Sequence, residues 1–122
     1  MLGKFPELNQ GTPYTASDAA IALSAGWGST AAVSLASGYD SVLTFTVTPG
    51  GTGIAINPTI TITFKDGTWG NAPGCLMNQT GGNDVIGDVF VTQSATAPVF
   101  TWLATPTTGK TYSFTMLCPG GR

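Results

Sequence analysis

The 122-residue chain contains no histidine. Imidazole is the commonest general base, proton shuttle and metal ligand near neutral pH, so every hydrolytic triad built on it is excluded. Charge is scarce as well: Asp, Glu, Lys and Arg make up 8% of residues, about a third of the usual quarter. The four cations, Lys4, Lys65, Lys110 and Arg122, are scattered along the chain. Binding a phosphate backbone requires clustered cations, so nucleic acid is not an expected partner. Glu7 is the only glutamate, and a glycosidase-like carboxylate pair would have to be drawn from Asp66, Asp84 and Asp88. No enzymatic activity, catalytic residue or cofactor is expected.

Long apolar runs are missing too. No segment approaches the ~18 consecutive apolar residues that span a bilayer, and no membrane partner is expected. Residues 1–10 hold one Lys, one Glu and one Pro without an apolar stretch, which does not match a secretory signal; the chain reads as made and folded in the cytosol. Only two cysteines occur, Cys75 and Cys118, 43 positions apart and without a CxxC pattern. In a reducing compartment they read as two small buried thiols, the alternative being a cross-strand disulfide formed after release from a cell.

What the chain does hold is turn-forming and β-branched residues: 17 Gly, 8 Pro and 20 Thr. That mixture favours many short strands joined by tight turns. A mean hydropathy of +0.21 with a net charge of −2 belongs to a folded chain rather than a disordered one. In Val42–Thr48, Leu43, Phe45 and Val47 alternate with Thr44, Thr46 and Thr48; Ile60, Ile62 and Phe64 do the same against Thr59, Thr61 and Thr63. Both have the period of a half-buried strand, and the two are expected in one sheet. Further strands are expected near 17–23, 33–35, 73–79 (an edge strand, given its leading Pro), 85–93, 99–104 and 111–118, the last two joined as a hairpin through residues 105–110. The expected core contains Leu43, Phe45, Val47, Ile60, Ile62, Phe64, Leu76, Val89, Val91, Phe100, Trp102, Phe114 and Met116.

Seven or eight such strands make an all-β fold, a small β-sandwich or barrel, over residues 17–122. Residues 1–16 read as an extended N-terminal arm. Its apolar side chains Leu2, Phe5, Leu8 and Tyr14 follow no period and suit packing on a partner surface, although a frayed terminus is also common.

A few side chains invite a functional reading. Trp69, with Asp66 and Asn71 beside it in sequence, could form a flat platform for a sugar ring; Trp27, between two glycines, could do the same. The structural alternative for each is a tryptophan anchoring a loop. Asn83, Asp84 and Asp88 lack the close D-x-[DN]-x-[DN]-G order of a calcium loop, so no metal is expected. The segment 50–53 (GGTG) lacks the Lys-Ser/Thr of a phosphate loop.

The stretch 17–28 (SDAAIALSAGWG), the segment 51–69 containing GTGI, NPTITITF and KDGTW, and TPTTGKTYSF at 105–114 together resemble a β-domain of tailed bacteriophages. Such domains occur in capsid decoration proteins, in head fibres and at the C-terminal ends of minor tail or fibre proteins. The likeness covers residues 17 to 117, leaving the arm outside, and no shaft or collagen-like repeat precedes the domain as it does in fibres. The resemblance implies a structural protein on the outside of a phage head. On that view it binds the major capsid protein, forms a homotrimer by analogy with other decoration proteins, and resides on the virion after synthesis in the host cytoplasm. Its alternative is a receptor-binding or minor tail module, one that could bind a host surface glycan.

Overall fold

The structure, a computed structural model, describes residues 11–15 and 19–119. Eight strands form two four-stranded antiparallel sheets: β1 (Ile21–Leu23), β2 (Ala32–Gly38), β3 (Val42–Thr48), β4 (Thr59–Ile62), β5 (Leu76–Gly82), β6 (Val89–Thr92), β7 (Val99–Trp102) and β8 (Tyr112–Leu117). One sheet runs β1-β4-β7-β6 and the other β2-β3-β8-β5. The all-β sandwich expected from the alternation is therefore present.

The core lies between the sheets and follows the period-2 pattern. On β3, Leu43, Phe45 and Val47 are fully buried while the threonines between them are half-buried; on β8, Tyr112, Phe114 and Met116 point in and Ser113 and Thr115 point out. Ile60 and Ile62 of β4 and Phe100 and Trp102 of β7 supply the opposite wall. A single 3-10 turn, Ala25–Trp27, drives the Trp27 indole into the middle. There it meets Trp102 edge-on at 5.4 Å between centroids and lies 6.3 Å from both Tyr112 and Phe114. Gly28, which follows, has φ 107°, and a Cβ on it would collide with the carbonyl oxygen of Gly50. Only glycine leaves room for both that backbone geometry and the close approach.

Four expectations need correction. β3 and β4 lie in different sheets, because residues 49–58 cross from one wall of the sandwich to the other; an inward apolar row suits either wall, so alternation cannot say which. β7 and β8 are likewise in separate sheets, with residues 103–111 crossing over, and β8 pairs with β3 and β5 instead. Leu76 is 62% exposed, and Cys75 and Met77 take the inward positions of that segment. Finally, Cys75 and Cys118 are joined in a disulfide, both fully buried. Leu76 is registered opposite Leu117, so one step beyond the ladder brings Cys75 opposite Cys118. The expectation of an edge for this segment was correct, since β5 closes one side of its sheet.

The edges of one sheet are blunted. The side chain of Gln93 clips the start of β5, its Oε1 accepting the Cys75 N–H and its Nε2 donating to the Cys75 carbonyl, both at 2.9 Å. Tyr14 donates its backbone N–H to Gly38 at the end of β2 (3.0 Å), and the two edge strands of the β2-β3-β8-β5 sheet carry register irregularities, between Leu35 and Ser37 and between Gln79 and Gly81. Such devices discourage indiscriminate strand pairing.

Candidate functional site

The four aromatic and polar residues of the sugar-platform reading do not converge. Trp27 is fully buried and donates its Nε1–H to the Thr59 carbonyl at 3.0 Å. Trp69 is 4% exposed, packs its ring 5.5 Å from that of Phe64, and donates its backbone N–H to Ala95. Neither ring presents a face to solvent, so both tryptophans are loop and core anchors. Asp66 is exposed but accepts the Thr12 N–H at 2.9 Å and the Thr12 hydroxyl at 2.7 Å; Asn71 is exposed on the same loop.

The arm residues divide. Leu2, Phe5 and Leu8 lie outside the described residues. Tyr14 is 3% exposed and belongs to this chain's own core, so it is not available to a partner. Its hydroxyl donates to Asp40 Oδ1 at 2.6 Å and lies 3.1 Å from the Thr63 carbonyl. Asp40, buried, also accepts the N–H of Lys65 at 2.8 Å and of Asp66 at 3.0 Å, and so joins the arm's root to turns from both sheets. Tyr14→Phe is expected to cost about 2 kcal/mol, roughly 8 °C in Tm, because it removes a donor from a buried side chain that no water can reach to replace it. Thermal unfolding of the two proteins measures this directly.

The Asn83–Asp84 turn also has an internal structural role. Asn83 Oδ1 accepts the Thr111 N–H at 2.8 Å, and Asp84 Oδ2 accepts the Tyr112 hydroxyl at 2.7 Å, while that same oxygen of Tyr112 accepts the Thr107 N–H. Gln79 braces the turn from within, donating to the carbonyls of Gly81 and Asp84 and accepting from the Ile86 N–H. These residues line a broad open depression whose polar groups are already engaged with one another. Among the described residues there is no group of three or more His, Cys, Asp or Glu able to hold a metal ion, and no helix is long and apolar enough to cross a membrane.

The Tyr112 bond holds the Asp84 carboxyl below its ordinary 3.8, helped by the Val85 backbone. Burial and, after it, the Asp84 bond hold the Tyr112 hydroxyl above 10.0. The Asp84 contribution to stability is therefore present above 3.8 and lost as pH falls through the depressed folded value. The Tyr112 contribution is present below 10.0 and lost as pH rises through the raised one. Tyr112→Phe should flatten both limbs of a Tm-against-pH curve; an alkaline limb identical to that of the parent would show that other groups cause it.

The outer face of the β2-β3-β8-β5 sheet is different in character. None of its outward strand residues is charged. Five of its hydroxyls are paired with one another: Thr44 with Thr115 (3.1 Å), Thr115 with Thr80 (3.1 Å), and Thr46 with Ser113 (2.7 Å). At one end of this face Val42, Leu117 and Leu76 stand in register across β3, β8 and β5. They are 47%, 45% and 62% exposed and border a groove of about 350 Å³ that also reaches Cys118 and Pro119. A hydroxyl that already has a protein partner loses less when water is removed than one bonded only to water. This face can therefore be covered at low cost, which makes it the candidate docking surface. The sequence carried its signal in the outward threonines of 42–48 and 111–118, which alternation alone reads only as a solvated side.

Comparison of the chain with protein-family models, with curated proteins and with solved structures finds no match.

Proposed function

We propose that the chain is a non-enzymatic structural module of a tailed-phage virion, a decoration protein that docks on the outside of the capsid shell and stabilises it. The virion context rests on the sequence resemblance. The observation that carries the docking role is the uncharged outer face of the β2-β3-β8-β5 sheet, with its self-paired hydroxyls and the Val42–Leu117–Leu76 row. A surface of this kind adheres through apolar burial and shape, and no buried charge needs compensation. Its natural partner is the major capsid protein, a large repetitive protein surface, and the arm residues Leu2, Phe5 and Leu8 add apolar contact around it. Attachment of this type depends weakly on salt, because few charges are present to be screened.

Quantitative mass spectrometry of purified virions tests the reading. A decoration protein is present in copy number comparable to the major capsid protein, and washing with molar salt leaves it in place. A handful of copies per particle would replace this reading with the tail-module one, and absence from virions would dismiss both.

A further inference from the structure

The β6 edge carries none of the devices that close its counterparts. In the β2-β3-β8-β5 sheet the Tyr14 N–H is bonded to the end of β2, and Gln93 occupies the main chain of Cys75 at the start of β5. In the other sheet β1 has three residues, and extreme shortness is an ordinary safeguard of an edge. β6 runs Val89-Phe90-Val91-Thr92 without a proline, a charge or a register irregularity.

The direction of its main-chain groups follows from β7. Trp102 donates its N–H to Pro58, and Ile62 donates to Pro98, so Pro98, Phe100 and Trp102 turn their main-chain groups toward β4. Val99, Thr101 and Leu103 turn theirs toward β6, as the bond from the Leu103 N–H to the Asp88 carbonyl shows. Asp88, Phe90 and Thr92 answer that ladder, which leaves the N–H and C=O groups of Val89 and Val91 pointing out of the sheet. Among the described residues nothing is bonded to them. We infer that this edge pairs with the β6 edge of a second copy about a two-fold axis at Phe90, making one continuous sheet of the two.

The residues of the edge select a second copy as the occupant. Val-Phe-Val reads the same in both directions. In the antiparallel register centred on Phe90, Val89 stands opposite the partner's Val91 and exchanges both main-chain bonds with it, and symmetry repeats the pair. Phe90 then faces the partner's Phe90 as a non-hydrogen-bonded pair, with Cα atoms about 4.5 Å apart, the spacing at which cross-strand aromatic rings meet. Phe90 is 51% exposed in the single chain, and Leu103, 57% exposed, sits diagonal to it on the same outer face. On the inner side the half-buried Val89 and Val91 meet their counterparts. Charge is accommodated as well: Asp88 comes opposite the partner's Thr92, whose hydroxyl can donate to it, and the two copies of Asp88 stay apart. A register shifted by two residues would set Phe90 against the partner's Asp88 or the partner's Thr92 instead of its own kind. The contact is independent of the docking reading, which uses the outer face of the other sheet. It is two-fold and at the small end of specific interfaces, so it makes concentration-dependent pairs, whereas the resemblance implies a threefold cluster.

Sedimentation equilibrium of the full-length, oxidised chain from about 10 μM to about 1 mM tests the contact, with amide hydrogen exchange read at both ends of the range. The parent is expected to dimerise within that range and, on doing so, to protect the Val89 and Val91 amides about tenfold or more. Val91→Pro removes a donor that faces outward, a replacement that edge strands tolerate, and is expected to weaken the dimer about tenfold because the symmetric contact loses two bonds. Thr92→Asp sets a carboxylate against the partner's Asp88 and weakens the dimer too, whereas Thr92→Lys sets a cation there and strengthens it at low salt. Thr92 is exposed, so neither of its variants disturbs the core, and circular dichroism verifies the fold of all three. A parent that stays monomeric at the highest concentration overturns the inference; loss of the Val91→Pro chain from virions would then assign the edge to a strand of another protein. A dimer left at full strength by Val91→Pro and Thr92→Asp overturns it as well. So does a dimer that Thr92→Lys weakens as much as Thr92→Asp, the result expected of an edge lysine in any other register. Dimerisation through β6 by a chain missing from virions would leave this contact standing and remove the decoration reading.

Discussion

The double replacement Cys75→Ala with Cys118→Ala is expected to lower the unfolding free energy by about 4 kcal/mol and Tm by roughly 15 °C. The disulfide closes a segment whose ends are 43 residues apart, and release of that closure enlarges the unfolded ensemble. The folded sandwich should change little. Gln93 still clips the start of β5 through two bonds to the main chain of residue 75, and the ladder from Leu76–Leu117 onwards is untouched. Urea unfolding followed by fluorescence gives the test, and it separates the two possible origins of the loss. An effect seated in the unfolded chain raises the denaturant slope along with lowering the midpoint, since more surface becomes exposed on unfolding. A loss under about 1 kcal/mol would mean that the bond merely joins ends already held by their neighbours.

The same bond shows where sequence reading stops. A separation of 43 residues says nothing about proximity until β5 and β8 are known to be neighbours, and that follows only from the path of the loops between the sheets. Alternation identified β3 to the residue, and Phe114 and Met116 as core residues of β8 as well, because a period of two is a local property of the chain. Sheet membership is not local. The inward rows of β3 and β4 are chemically equivalent, Leu-Phe-Val against Ile-Ile-Phe, and only the crossing loop decides that they face each other across the core. Leu76 was misread for a related reason: in PGCLMNQ the inward positions are held by Cys75 and Met77, and the most apolar residue of the segment lies on the outside. That displaced leucine, together with Val42 and Leu117, makes the apolar row of the docking face. The polar half of the face was legible as alternating threonines, but the pairing of Thr44 with Thr115 and of Thr115 with Thr80 required the strand order.

Trp27→Ala is expected to cost about 3 to 5 kcal/mol, close to the loss from removing the disulfide, through an unrelated mechanism. The indole fills the middle of the sandwich from a short 3-10 turn and not from a strand. It touches Trp102 from the β1-β4-β7-β6 sheet and Tyr112 and Phe114 from the other, and so bridges the aromatic residues of the two walls from outside both sheets. Its removal leaves a cavity that neither sheet can fill by a rotamer change, since Trp102 and Phe114 are already packed together with centroids 4.6 Å apart. Trp27→Phe retains much of the volume and loses the bond from Nε1 to the Thr59 carbonyl. That carbonyl still accepts the Ser24 N–H at 3.0 Å, so the cost should fall to about 1 to 2 kcal/mol. Paired chemical and thermal unfolding of the two variants measures the difference, and near-UV circular dichroism should show the aromatic signal collapsing for Ala and persisting for Phe. If both variants were as stable as the parent, with docking to a shell or sugar lost, Trp27 would be a contact residue and the two sheets would have to be held together by Trp102, Tyr112 and Phe114 alone.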